Sequence, residues 1–154
     1  MSEIERIRDQ LRRAHEGQAW HGPSLRELLA GVTAEQAAKR PLASAHTIWE
    51  IVLHIGVWES VVTRRLRGEV ITELPADQDW PAVGDTSKSA WERTLEELER
   101  GHKQLDESIA RLSDNRLGET VLGMDYPVYV MLHGVVQHAL YHAGQIALLR
   151  KAIP

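Results

Sequence analysis

Apolar residues along this chain recur mostly every third or fourth position, the period of a helix that buries one face. Ile4, Ile7, Leu11, Ala14 and Gln18 step along one such face, with Gly17 placed to weaken or end it. The run Trp20-His21-Gly22-Pro23 breaks the pattern. Ser24 with Glu27 then reads as a capping box, in which side chain and backbone of the first turn satisfy each other. It opens a short apolar turn through Leu25, Leu28 and Leu29 that Gly31 stops. Thr33 with Gln36 caps another short piece, ended at Arg40-Pro41 because a residue before proline is pushed out of helical conformation.

The clearest start signal is Thr47-Ile48-Trp49-Glu50, a threonine cap with glutamate three positions on. Behind it Ile48, Ile51, Val52, Ile55, Trp58, Val62 and Leu66 mark one face of a helix reaching about Arg67. The stretch 68–86 is polar, rich in Asp and Pro, and long for a loop inside a compact domain. Two consecutive helices that lie parallel would explain it, because the chain must travel back along the bundle between them. A third helix follows from about Ser87 to Leu112, with its seam at Trp91, Leu95, Leu98, His102, Leu105, Ile109 and Leu112. Residues 113–127 form a second connection, with room for a brief hairpin around Gly123-Met124-Asp125. Pro127 suits the first turn of the last helix, where its missing N–H costs nothing. That helix holds the stretch Met131–Arg150. The pattern therefore predicts an all-α fold: one domain over residues 1–154, a four-helix bundle in up-down-down-up order with a long crossover between helices two and three.

Composition narrows the function classes. Hydrophobic residues make up 43 % and charged residues 26 % of 154, ordinary for a globular domain. A net charge of −4 with both signs interspersed gives no field for nucleic acid. Arg64, Arg65 and Arg67 form the tightest basic cluster, at a helix end where cations also relieve the helix dipole. The longest apolar runs fall far short of a membrane span, and no charged-then-apolar leader precedes them. The expectation is a cytoplasmic protein without membrane contact. With no cysteine, there is no disulfide, no thiol nucleophile and no Cys-based zinc site. A transition metal would have to be held by histidine and carboxylate.

Histidine supplies that chemistry. His138 and His142 are one helical turn apart, so both imidazoles can look into one volume from a face that also carries Met131, Val135, Gln145 and Leu149. His54, between Ile51 and Trp58, points inward from helix two. If helices two and four are antiparallel, His54 lies roughly 10 Å into its helix and the His138/His142 pair roughly 16 Å from the far end of theirs. Those depths allow three imidazoles to meet on one ion. His102 also faces inward, but roughly 14 Å deeper, beyond ligand reach of His54. His133 is rotated off the ligand face, and His15, His21 and His46 fall near helix ends or breaks. Three imidazoles leave a coordination position open, as catalytic sites do, and do not choose between zinc, nickel, cobalt, copper and ferrous iron. Glu50, one turn before His54, is a candidate base or acceptor for an imidazole N–H as well as a cap. Tyr141 is rotated toward packing. The inner faces lack the Glu-x-x-His pairs of di-iron bundles.

Tyr141-His142-Ala143-Gly144-Gln145-Ile146, preceded by His138, resembles the last-helix signature of the DinB/YfiT-like superfamily. Ile48-Trp49-Glu50 with His54 is similar to that family's second-helix element, and Trp20-His21-Gly22-Pro23-Ser24-Leu25 resembles one DinB-like subgroup. The resemblance implies the up-down-down-up bundle, often as a homodimer, with a divalent metal such as nickel or zinc on His54, His138 and His142. It implies a small-molecule substrate for a metal-dependent hydrolase, or for a transferase using a low-molecular-weight thiol such as bacillithiol or mycothiol. A related enzyme isomerises maleylpyruvate with mycothiol, and the family name reflects damage-induced expression. The alternative from another class is a non-catalytic, stress-related metal-binding or interaction protein.

Overall fold

The structure, a computed structural model, describes residues 1–153. Four long helices carry it: α1 (Glu3–His15), α4 (Ile48–Leu66), α6 (Lys88–Ala110) and α7 (Val128–Ala152). Between them lie the short helices α2 (Leu25–Leu29), α3 (Ala34–Ala38) and α5 (Ala76–Asp79), and a 3-10 turn at Asp114–Gly118. The capping boxes at Ser24/Glu27, Thr33/Gln36 and Thr47/Glu50 are all formed, and Ser2 with Glu5 makes another at the start of α1.

Side-chain contacts fix the directions. Trp49 near the start of α4 donates to Thr94 near the start of α6, so these two helices run parallel. His54 meets His138 and His142 well along α7, which makes α4 and α7 antiparallel. Arg8 of α1 pairs with Asp106 late in α6, so those two are antiparallel as well. The order is up-down-down-up. α4 and α1 each pack between α6 and α7.

Two apolar clusters stack along the bundle. One joins α2 and α3 to Ile48, Trp49, Ile51, Trp91, Leu98, Ile146 and Leu149. The other joins Ile4, Ile7 and Leu11 to Val62, Leu105, Ile109, Leu132 and Val135. Fully burying each large aliphatic side chain contributes about 1.5–3 kcal/mol, so these clusters supply the main driving force for assembly. Between them the long helices turn polar side chains inward: His54 and Glu59 on α4, His102 on α6, His142 on α7.

Several local expectations need correction. α1 stops at His15, short of Gln18, because Gly17 and Gln18 leave helical geometry with φ of 152° and 63°. Pro127 is the residue capping α7 rather than part of its first turn. The hairpin around Gly123 is reduced to a single bridge between Thr120 and Pro127. Gly123 itself has φ of +81°, and a Cβ there would come within 2.8 Å of the Val70 side chain. Glycine is what lets this turn sit against the start of the crossover. The crossover is not featureless either, since α5 lies within it.

Candidate metal centre

Residues on α4 and α7 meet where the sequence pattern places them. His138 and His142 stand one turn apart on α7 with ring centroids 4.5 Å apart. The His54 ring lies 4.9 Å from that of His138 and 4.8 Å from that of His142. The Nε2 atoms of His54 and His138 are 3.0 Å apart. Two nitrogens about 2.1 Å from a shared ion are separated by roughly 3.0–3.4 Å, so this spacing already suits a common ion. One ligand atom from each of the three lies within 4.8 Å of the other two.

Outer hydrogen bonds set the tautomers of His54 and His142, while the Nε2 atoms of His54 and His138 share a hydrogen bond across the volume an ion would fill. His54 Nδ1–H donates to the Asp79 carbonyl oxygen at 2.8 Å, with an Asp79 carboxylate oxygen 3.2 Å away. His142 Nδ1–H donates to Gln145 Oε1 at 2.7 Å. These assignments follow from the acceptors each ring faces. A proton held on Nδ1 leaves Nε2 as a lone pair directed at the shared volume, which is how outer partners orient metal ligands. Burial, with the neighbouring His142 and His54 rings, pushes His138 down to about 3. Burial lowers His142 too, against the raising influence of its bond to Gln145. Both rings are neutral near pH 7, the form that can bind a cation.

The crossover closes one side. Trp80 stacks on His54 at 3.8 Å and 3°, and His46 in turn stacks on Trp80 at 3.5 Å and 5°. Trp58 donates its indole N–H to Asp79 Oδ1 at 2.8 Å, which ties the crossover to α4. Asp79 and Trp80 were not legible as site residues. The available signals were an unexplained long polar loop and a lone tryptophan within it.

The centre opens into a cavity of about 530 Å³ walled by Trp58, Val62, Met131, Val135 and Tyr141, with Arg65 also in its lining. Arg65 is 7 % exposed. Its guanidinium donates to the Ile71 carbonyl and to the Tyr126 hydroxyl, and it forms no ion pair among the described residues. Tyr141 is 67 % exposed, so it borders the mouth instead of packing inside.

The remaining candidates lie elsewhere. Glu50 accepts from the Thr47 amide at 2.7 Å and pairs with Arg40 at 2.7 Å, and its hydrogen bonds reach none of the three imidazoles. Burial works to raise its carboxyl, but the Thr47 amide and Arg40 outweigh it and hold the group below the usual range. His133 faces α1, 4.0 Å from Glu3. His102 is buried apart from the three-histidine cluster, as its depth requires, and His15 is buried beside it. No described helix is long and apolar enough to cross a membrane.

No curated protein and no solved structure matches the chain. A sequence model of one family does match, over residues 19–146, a stretch that contains all three clustered imidazoles and leaves α1 outside. The chain belongs to the DinB superfamily.

Proposed function

We propose that the protein is a metal-dependent enzyme acting on a small molecule, with nickel or zinc held by His54, His138 and His142. The observation that carries this reading is the position of the three imidazoles at the end of an open, largely apolar cavity. A structural site is closed by a fourth protein ligand, whereas a catalytic one keeps a position for substrate. A cavity of about 530 Å³ has the size of a small-molecule site.

When bound, a divalent ion supplies Lewis acidity that makes a coordinated water or thiol nucleophilic near neutral pH. The chain's own residues do the rest. Asp79 and Gln145 keep His54 and His142 in the tautomer that faces the cavity. Trp80 and Trp58 exclude water from one side of the cluster. Arg65, a buried cation without a carboxylate partner, suits an anionic group on the substrate or on a low-molecular-weight thiol. Glu50 serves the helix cap and Arg40; proton transfer from it would require that pair to open. The reaction is thus hydrolysis or thiol transfer.

The test uses tag-free protein, its metal content measured by mass spectrometry, and a turnover screen of esters, amides and electrophiles with and without low-molecular-weight thiols. Wild type should turn over at least one class, and His138→Ala should lose both that turnover and bound metal. Wild type that binds no transition metal overturns the reading. Stoichiometric metal with no turnover in the panel favours a non-catalytic metal-binding protein instead.

A further inference from the structure

Helix α4 presents a second inward polar group to a different neighbour. Glu59 follows His54 by five residues, a rotation of about 140° around the helix. His54 therefore faces α7 while Glu59 faces α6. There Glu59 (1 % exposed) meets His102 of α6 (4 %) and His15 from the last turn of α1 (1 %). One donor atom from each lies within 4.8 Å of the other two.

The polar accounting of this trio does not close. His102 Nδ1–H donates to Glu59 Oε1 at 3.2 Å. His15 Nε2–H donates to Glu99 Oε1 at 3.1 Å, and Glu99 is also held by Arg26. Those bonds leave His15 Nδ1 and Glu59 Oε2 as lone pairs, both shielded from solvent and both without a hydrogen-bond partner. Leaving a buried acceptor unpaired costs the hydration it gave up, with nothing in return. Two bare acceptors cannot satisfy each other; a shared proton would serve these two atoms alone, whereas a metal ion would also use the third donor that converges with them.

We propose that His15, Glu59 and His102 form a second site for a divalent transition-metal ion of the zinc class, separate from the three-histidine centre. Two imidazoles and one carboxylate are a borderline donor set that suits zinc, whereas calcium and magnesium call for more oxygens. An entry path exists, because the charged groove of about 650 Å³ between α1 and α6 includes His102 in its lining. Loading requires movement. The His15 and His102 rings stack at 3.7 Å and 11°, and ring lone pairs lie in the ring plane. One ring must swing out of the stack as the donors close to about 3.4 Å, the edge of a tetrahedral shell. The ion would join α1, α4 and α6. It would thereby clamp down the one long helix that lies outside the stretch matched to the family.

The experiment measures zinc stoichiometry in tag-free, full-length protein after gel filtration. Wild type should carry two ions, His138→Ala one, Glu59→Gln one, and the double variant none. The double variant retaining the His138→Ala stoichiometry, or His138→Ala binding no zinc, overturns the proposal. One ion in wild type that survives His138→Ala and is lost with Glu59→Gln supports this site while removing the three-histidine centre. Should Glu59→Gln fail to fold, wild-type crystals soaked in zinc decide, using data on either side of the zinc absorption edge. An anomalous peak among the three side chains, with the imidazole stack opened, supports the site. Ordered water there without anomalous signal, or zinc only at surface groups such as His46 and Glu50, overturns it.

Discussion

Replacing Gln145 by methionine tests whether the outer hydrogen bonds of the three-histidine cluster govern metal affinity. The bond from His142 Nδ1–H to Gln145 Oε1 is 2.7 Å long and belongs to a ring only 5 % exposed. Methionine fills similar space but cannot accept that proton. The imidazole then loses its fixed tautomer, and a proton on Nε2 would occupy the position a cation needs. Removing such an outer partner typically costs 10–100-fold in metal affinity. At about 1.4 kcal/mol per decade, that is roughly 1.4–2.8 kcal/mol. Gln145→Glu should act in the opposite direction, because a carboxylate accepts the same proton more strongly and makes the ring a better donor to the metal. The assay is a competition titration against a chelator of known affinity at fixed pH, with metal-free thermal unfolding as a control. Gln145→Met binding within twofold of wild type, with an unchanged melting temperature, would refute the argument.

Leu132→Ala, at a fully buried site in the cluster around α1, should lower stability by about 2–5 kcal/mol in urea unfolding while leaving metal stoichiometry unchanged. Loss of metal in that variant would mean the two ends of the bundle are coupled. Glu99 is lowered from 4.5 to about 2, first by its bond to His15 and then by Arg26. Its contribution is therefore present above about 4.5 and lost as pH falls toward about 2, because the unfolded chain takes up the proton first. Urea midpoints across that window should fall less steeply in Arg26→Gln; the carboxylate is 42 % exposed, so screening keeps the difference small. We propose that Val130, Tyr141 and Leu148, exposed by 48 %, 67 % and 67 % along one stripe of α7, form a homodimer surface. Light scattering should give a dimer for wild type and a monomer for Leu148→Glu; a wild-type monomer would refute it.

What could be read from residues alone was whatever repeats locally. The caps at Ser24, Thr33 and Thr47 needed only three-residue spacing, and the seam of α6 from Trp91 to Ile109 needed only helical period. The meeting of His54 with His138 and His142 was legible because one antiparallel pairing fixes both depths. Even there the two depths differed by several ångströms. The structure absorbs the difference in an overhang, where the end of α7 runs past α4 and Arg150 binds the Leu28 carbonyl. Contacts without a period stayed hidden. Asp79 and Trp80 reach His54 through an irregular segment. His15 follows Leu11 by four residues on the buried face of α1, but its meeting with Glu59 and His102 depends on how α1, α4 and α6 pack, which no single helix period encodes.

A chain that sends two neighbouring rods the same way must carry a return cable along their full length, and such cables are ordinarily free to drift in length and composition. Here Asp79 and Trp80 deny it that freedom. Trimming or lengthening the segment between Gly68 and Thr86 would shift the carbonyl that sets the His54 ring. A stretch that topology demands merely as wiring has thus become a calibrated part, and its tolerance to insertions should resemble that of a helix rather than a loop.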